Sequence, residues 1–73
     1  MENTNYVNRV VACIDDILDS DNKIFIKKGM MGVCTADLPS DNVFTVWFDK
    51  KIRNQHNWVT FEHKYKKHFK TIG

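Results

Sequence analysis

One stretch narrows the choice of fold more than any other: Ile24-Phe25-Ile26-Lys27-Lys28-Gly29-Met30-Met31-Gly32-Val33-Cys34-Thr35, an apolar run, a basic glycine turn and a second apolar run. Gly29 can take the positive φ that lysine avoids, and the β-branched and aromatic residues around it favour extended chain, so the stretch reads as strand, turn, strand. Gly32 falls inside the second run. There it would weaken a helix, whereas in a strand it permits a bulge or the close approach of another backbone.

The rest of the chain fits around that unit. Residues 1–6 are polar and asparagine-rich and read as a flexible amino terminus, leaving residues 7–73 as one domain. Val10-Val11-Ala12-Cys13-Ile14 suits a strand buried on both faces, with a helix as the alternative. Asp19-Ser20-Asp21-Asn22 is a cluster of turn formers, so the chain should reverse before Ile24. A loop is expected from Asp37 to Asn42, around Pro39. Val43-Phe44-Thr45-Val46-Trp47-Phe48 is the clearest strand: Phe44, Val46 and Phe48 share one face, the better core, and Val43, Thr45 and Trp47 the other. A polar, basic loop from Asp49 to Asn57 then leads to Trp58-Val59-Thr60-Phe61. Paired as a hairpin, the two strands would set Trp47 beside Trp58. The charged segment from Glu62 to His68 fits a single helical turn, and Phe69 to Ile72 a short last strand.

This strand order, running from about Val7 to Ile72, resembles that of small SH3-like β-barrels, which often carry a one-turn 3-10 helix before the last strand. The expected fold is therefore all-β, a single small five-stranded SH3-like barrel with one short helical turn near the carboxyl terminus. The spacing Gly29-x-x-Gly32-x-Cys34 also resembles the KOW motif of ribosomal proteins and transcription elongation factors. The resemblance covers about a dozen residues, and the KOW pattern does not extend to either side, so ribosome or polymerase binding does not come with it.

With 73 residues the chain makes one small domain, which buries only about 60% of the surface its unfolded form exposes. Closing a sheet into a barrel would reinforce it. Cys13 and Cys34 form no CxxC pair and match neither a zinc site nor a disulfide scaffold; they read as two buried free thiols. The longest apolar run near the amino end, Val10 to Ile14, is too short for a signal peptide or a membrane span, so the expected location is cytoplasmic. The net charge of +2 is unevenly placed. Residues 1–49 hold four basic and eight acidic groups, residues 50–73 seven basic groups and the lone acid Glu62.

No catalytic or metal site is expected. The acids between Asp15 and Asp21 lack the EF-hand order, and His56, His63 and His68 have no metal-ligand spacing and read as exposed. Burial of Cys13 in an apolar run would keep it inert. Some plasmid ribonuclease toxins share a similar barrel, but no acid, base and arginine set can be placed here. The strongest functional signal is the pair of tryptophans beside basic residues. Trp47, Lys50, Lys51, Arg53 and Trp58 form the expected contact surface for a larger, unidentified protein partner, with no cofactor. Each tryptophan could instead complete the core, Trp47 as readily as not; both together are expected to be at least partly exposed. The second reading is a barrel that binds single-stranded DNA or RNA through the same surface with Lys64, Tyr65, Lys66, Lys67 and Lys70. That basic run also has a bland role, since lysines keep edge strands from associating. A lone small domain of this composition has the style of an accessory subunit or a mobile-element product, for instance a phage protein that modulates a host factor.

Overall fold

In the computed structural model, which describes residues 5–72, Phe44, Val46 and Phe48 do alternate into the core and Trp47 does face out, and the rest of the fold is arranged on that strand. The chain forms β1 (Val10–Cys13), β2 (Ile17–Leu18), β3 (Ile24–Ile26), β4 (Met31–Leu38), β5 (Val43–Ile52), β6 (His56–Glu62) and β7 (Phe69–Ile72). Two 3-10 segments interrupt them, Pro39–Asp41 and His63–His68; the second is the turn expected before the last strand. The domain is all-β apart from these. No helix among the described residues is long and apolar enough to cross a membrane.

Five strands make one antiparallel sheet in the order β6-β5-β4-β1-β7, so the first strand lies between the middle of the chain and its last strand. The sheet does not close on itself: β6 and β7 stand at its two ends. β2 and β3 pair separately as a small hairpin. Its reversal lies where the turn formers predicted it, with the Asp19 carboxylate accepting the N–H groups of Asp21 and Lys23. Asp16 likewise accepts the N–H of Lys28, so these acids cap turns.

The core unites Val11, Cys13, Ile17, Ile26, Cys34, Phe44, Val46, Phe48, Ile52, Phe61 and Phe69. Phe44, Phe61 and Phe69 meet within 5.4–5.8 Å of one another, and Phe48 joins them edge-on to Phe61. Gly29 turns at φ 99°. Gly32 sits opposite Phe48, and a Cβ there would collide with the Trp47 carbonyl oxygen and come within 2.9 Å of a Val46 methyl. The close approach expected of that glycine is thus its role, while the bulge falls further on, between Cys34 and Ala36.

Besides closure of the barrel, which the unpaired β6 and β7 ends of the sheet do not make, four expectations need correction. β1 is not buried on both faces: Val11 and Cys13 point inward, while Val10 lies on the solvent face. The loop expected from Asp37 to Asn42 begins later, because β4 runs on to Leu38 and Asp37 is buried in it. The loop expected from Asp49 to Asn57 is largely strand: β5 extends to Ile52, β6 starts at His56, and the turn between them is Arg53-Asn54-Gln55. Arg53 and Asn54 both take left-handed φ, 53° and 59°, with the Gln55 N–H on the Ile52 carbonyl, a compact reversal that ordinarily signals itself with glycine. Finally, Tyr6 is not part of a loose terminus. It packs edge-on against Phe44 and donates its N–H to Asp37; residues 1–4 of the expected flexible segment lie outside the described residues, as does Gly73.

Candidate functional site

The ladder registers of the five-stranded sheet bring one residue from each strand into a single row. Ile72 of β7 lies opposite Val10 of β1, Val10 opposite Val33 of β4, Val33 opposite Trp47 of β5, and Trp47 opposite Trp58 of β6. All five are 39–48% exposed. An apolar stripe therefore crosses the full width of the sheet on its solvent side. Scattered exposed apolar residues are ordinary, but a contiguous row of them on a small domain marks a contact surface.

The stripe is aromatic at the β6 end. The Trp47 and Trp58 rings lie 6.5 Å apart at 38°, and His56 stacks on Trp58 at 5.4 Å. Thr45 and Thr60, the next cross-strand pair, share a hydroxyl hydrogen bond of 2.8 Å and border the stripe on one side. Lys70, two residues before Ile72 on the same face, borders it on the other. Beyond β6 a cleft of about 400 Å³ opens between that strand and the β2–β3 hairpin, lined by Phe25, Ile52, His56, Trp58, Val59 and Thr60 among others.

The expected site residues are distributed unevenly around this surface. Trp47 and Trp58 form its aromatic end. Lys50 and Lys51 are exposed near the end of β5. Arg53 reaches away to the β2–β3 hairpin, where it pairs with Asp19, donates to the Ile24 carbonyl at 3.3 Å and covers the Phe25 ring. The Arg53 hydrogen bond, with the turn N–H groups, holds the Asp19 carboxyl below its usual range. Of the residues in the nucleic-acid reading, Lys70 alone shares the sheet face with the tryptophans. Lys64 and Lys67 are exposed on the 3-10 segment, Lys64 within 3.5 Å of Glu62. Tyr65 packs toward the core against Phe61.

Lys66 has a structural position. Its ammonium lies 2.7 Å from Asp37, whose side chain is fully buried, and 5.0 Å from the Tyr6 ring centroid. Asp37 also accepts the Tyr6 N–H at 2.8 Å and a hydrogen from His63 Nε2 at 2.8 Å. His63 Nε2 faces a second acceptor, the Val43 carbonyl at 3.0 Å, so that nitrogen carries a hydrogen. Burial alone would raise the Asp37 carboxyl, but the Lys66, Tyr6 and His63 contacts outweigh it and hold it below the usual carboxylate range. His63, expected to be exposed, is thus part of a buried polar hub.

The thiols behave as the sequence implies. Cys13 and Cys34 are free and buried, and burial pushes both up in pKa. Among the described residues no group of three or more His, Cys, Asp or Glu side chains is placed to hold a metal ion.

Sequence reasoning missed Val10, Val33 and Ile72 as surface residues. Their signal was present: each occupies the outward position of an alternating strand. In Val10 to Ile14, apolar residues on both faces read instead as a strand buried on both. No protein family, curated protein or solved structure matches this chain.

Proposed function

We propose that this is a non-catalytic binding protein, built as an SH3-like barrel that leaves one seam open, which docks on a larger protein through the outer face of its sheet. The fold reading is supported by the antiparallel order β7-β1-β4-β5-β6, with a 3-10 segment between the strands at the two ends. The functional reading is carried by one observation, the unbroken exposed row Ile72, Val10, Val33, Trp47 and Trp58. Two tryptophans at one end supply the large, rigid anchors that dominate protein interfaces, and Lys50, Lys51 and Lys70 supply a polar rim. Nucleic acid fits the surface less well. The basic run expected to hold phosphates is divided among a buried ion pair, the 3-10 segment and a single lysine on the aromatic face.

The test pairs two measurements. Affinity capture from the native cell lysate should recover a protein with the wild-type chain and lose it with Val33→Ser/Trp47→Ser, while Lys64→Ser/Lys67→Ser retains it. In parallel, tryptophan fluorescence should report no tight binding of single-stranded oligonucleotides at low salt. Quenching with an affinity that falls steeply with salt would instead establish phosphate contacts and replace the protein-docking reading.

A further inference from the structure

We propose that the free edge of β6 takes up an extended, acidic segment of a partner protein as an added strand; this rests on the docking role above and specifies how the partner is gripped. The argument begins with the direction of backbone groups. In an antiparallel ladder, opposed residues alternate between pairs that bond each other and pairs whose N–H and C=O groups point away. The His63 N–H bonds the Asn42 carbonyl, and the register runs without a shift from Val43↔Glu62 to Trp47↔Trp58. Counting along from Asn42–His63, the bonded pairs are Phe44–Phe61 and Val46–Val59. The amides and carbonyls of Trp58, Thr60 and Glu62 therefore face the open side of β6. No other strand pairs with that side among the described residues, since β6 ends its sheet and the β2–β3 hairpin stands across the cleft.

Edge strands are normally blunted by lysine, proline or a bulge. Asn57-Trp58-Val59-Thr60-Phe61 has no charge and no proline, and its ladder to β5 is unshifted from Trp58 to Glu62, the register shift falling beyond Trp58 toward the turn, between Trp47 and Ile52 of β5. The other edge is different. β7 has four residues, and the N–H of its first, Phe69, is already bonded to the Lys66 carbonyl. What lies beside β6 is the cleft lined by Trp58, Val59 and Phe25, with room for apolar side chains of an added strand. The occupant matching unpaired main-chain groups is another extended main chain, and side-chain pockets beside it give selectivity. Its charge follows from the turn: residues 50–56 hold Lys50, Lys51 and Arg53 and no acid, and only Arg53 is paired among the described residues.

The experiment uses the full chain, isotope-labelled, with a synthetic heptapeptide of alternating isoleucine and threonine that ends in a glutamate run. A second peptide carries lysines in place of the glutamates. Saturating glutamate peptide should slow hydrogen exchange of the Trp58 and Thr60 amides by about tenfold or more, leaving Val59 and Phe61, already bonded to β5, unchanged. The lysine peptide should bind at least about tenfold more weakly. Replacing the Val59–Thr60 amide by an ester removes one outward N–H and leaves every side chain in place, and should weaken binding severalfold. Thr60→Pro, tolerated where the N–H faces outward, should abolish it. The proposal is overturned if the peptide leaves the Trp58 and Thr60 amides unprotected, if both peptides bind equally, or if the ester binds as the amide does. It is also overturned if the two amides become protected with rising protein concentration alone, which would make a second copy the occupant. The stripe and the edge fail separately: Val33→Ser/Trp47→Ser should still bind the peptide, and loss of edge binding alone leaves capture through the stripe intact.

Discussion

Asp37 and Lys66, 29 residues apart in sequence, meet as a 2.7 Å ion pair in which the carboxylate is wholly buried. Lys66→Met should therefore destabilise the fold by about 3 kcal/mol, the size expected when a buried charge loses its partner. Because the Asp37 carboxyl is held below its usual value, the unfolded chain takes up the proton first. The stabilisation is complete above about pH 4, the ordinary carboxylate range, and is lost as pH falls through the folded value. Urea unfolding at a series of pH values checks both. Asp37→Asn should flatten the acid side of the profile, and an unchanged slope there would assign the acid sensitivity to other carboxylates.

The two strand-region glycines should respond differently to a methyl group. At Gly32 the added Cβ meets the Trp47 carbonyl and the Val46 side chain, and overpacking of this kind costs about 1–3 kcal/mol. At Gly29 it meets nothing within 4 Å, so Gly29→Ala should cost only the strain of the positive φ, about 1 kcal/mol. Denaturant midpoints with unchanged slopes would show it. Equal losses would contradict the close approach at Gly32.

The tryptophan pair should be coupled without being essential to the fold. A double-mutant cycle of Trp47→Ala and Trp58→Ala, read by urea unfolding, should give a coupling of about 0.5–1.5 kcal/mol, the worth of an aromatic pair. Both single variants should unfold cooperatively. A loss above about 3 kcal/mol in either would place that ring in the core.

Both thiols should resist an aromatic disulfide reagent at pH 8 while the protein is folded. Their burial and raised pKa predict labelling slower by at least about a hundredfold than in denaturant, where both react freely. Rapid labelling of one thiol in the folded state would show that its strand opens locally.

How much of this was legible depends on whether the signal is local. Period-two alternation in Val43 to Phe48 is local, and it puts Phe44, Val46 and Phe48 on the core face and Trp47 on the opposite one; whether that opposite face is covered is not a local property. The pairing of Trp47 with Trp58 followed from two strands joined in sequence. Asp37 was misread because it heads a run of turn formers, and its burial depends on Lys66 and His63, which no window of a dozen residues contains. The stripe was half legible. Its tryptophans stood out, but Val10, Val33 and Ile72 join them only through the registers of strands distant in sequence. The contraction of the Asp49–Asn57 loop was hidden because Arg53 and Asn54 take the conformation usually assigned to glycine.

The Asp37 hub also bears on how the chain reaches this structure. Its donors come from Tyr6, His63 and Lys66, 26 to 31 residues away in sequence and on both sides of it. A carboxylate buried before all three arrive would be left charged and under-bonded in an apolar setting, so its burial is favourable only once both ends of the chain have closed on the middle. β1, inserted between β4 and β7, imposes the same order. Folding is thereby tied to contacts of high sequence separation, which makes it slow for a domain this small and leaves little room for a stable half-formed state.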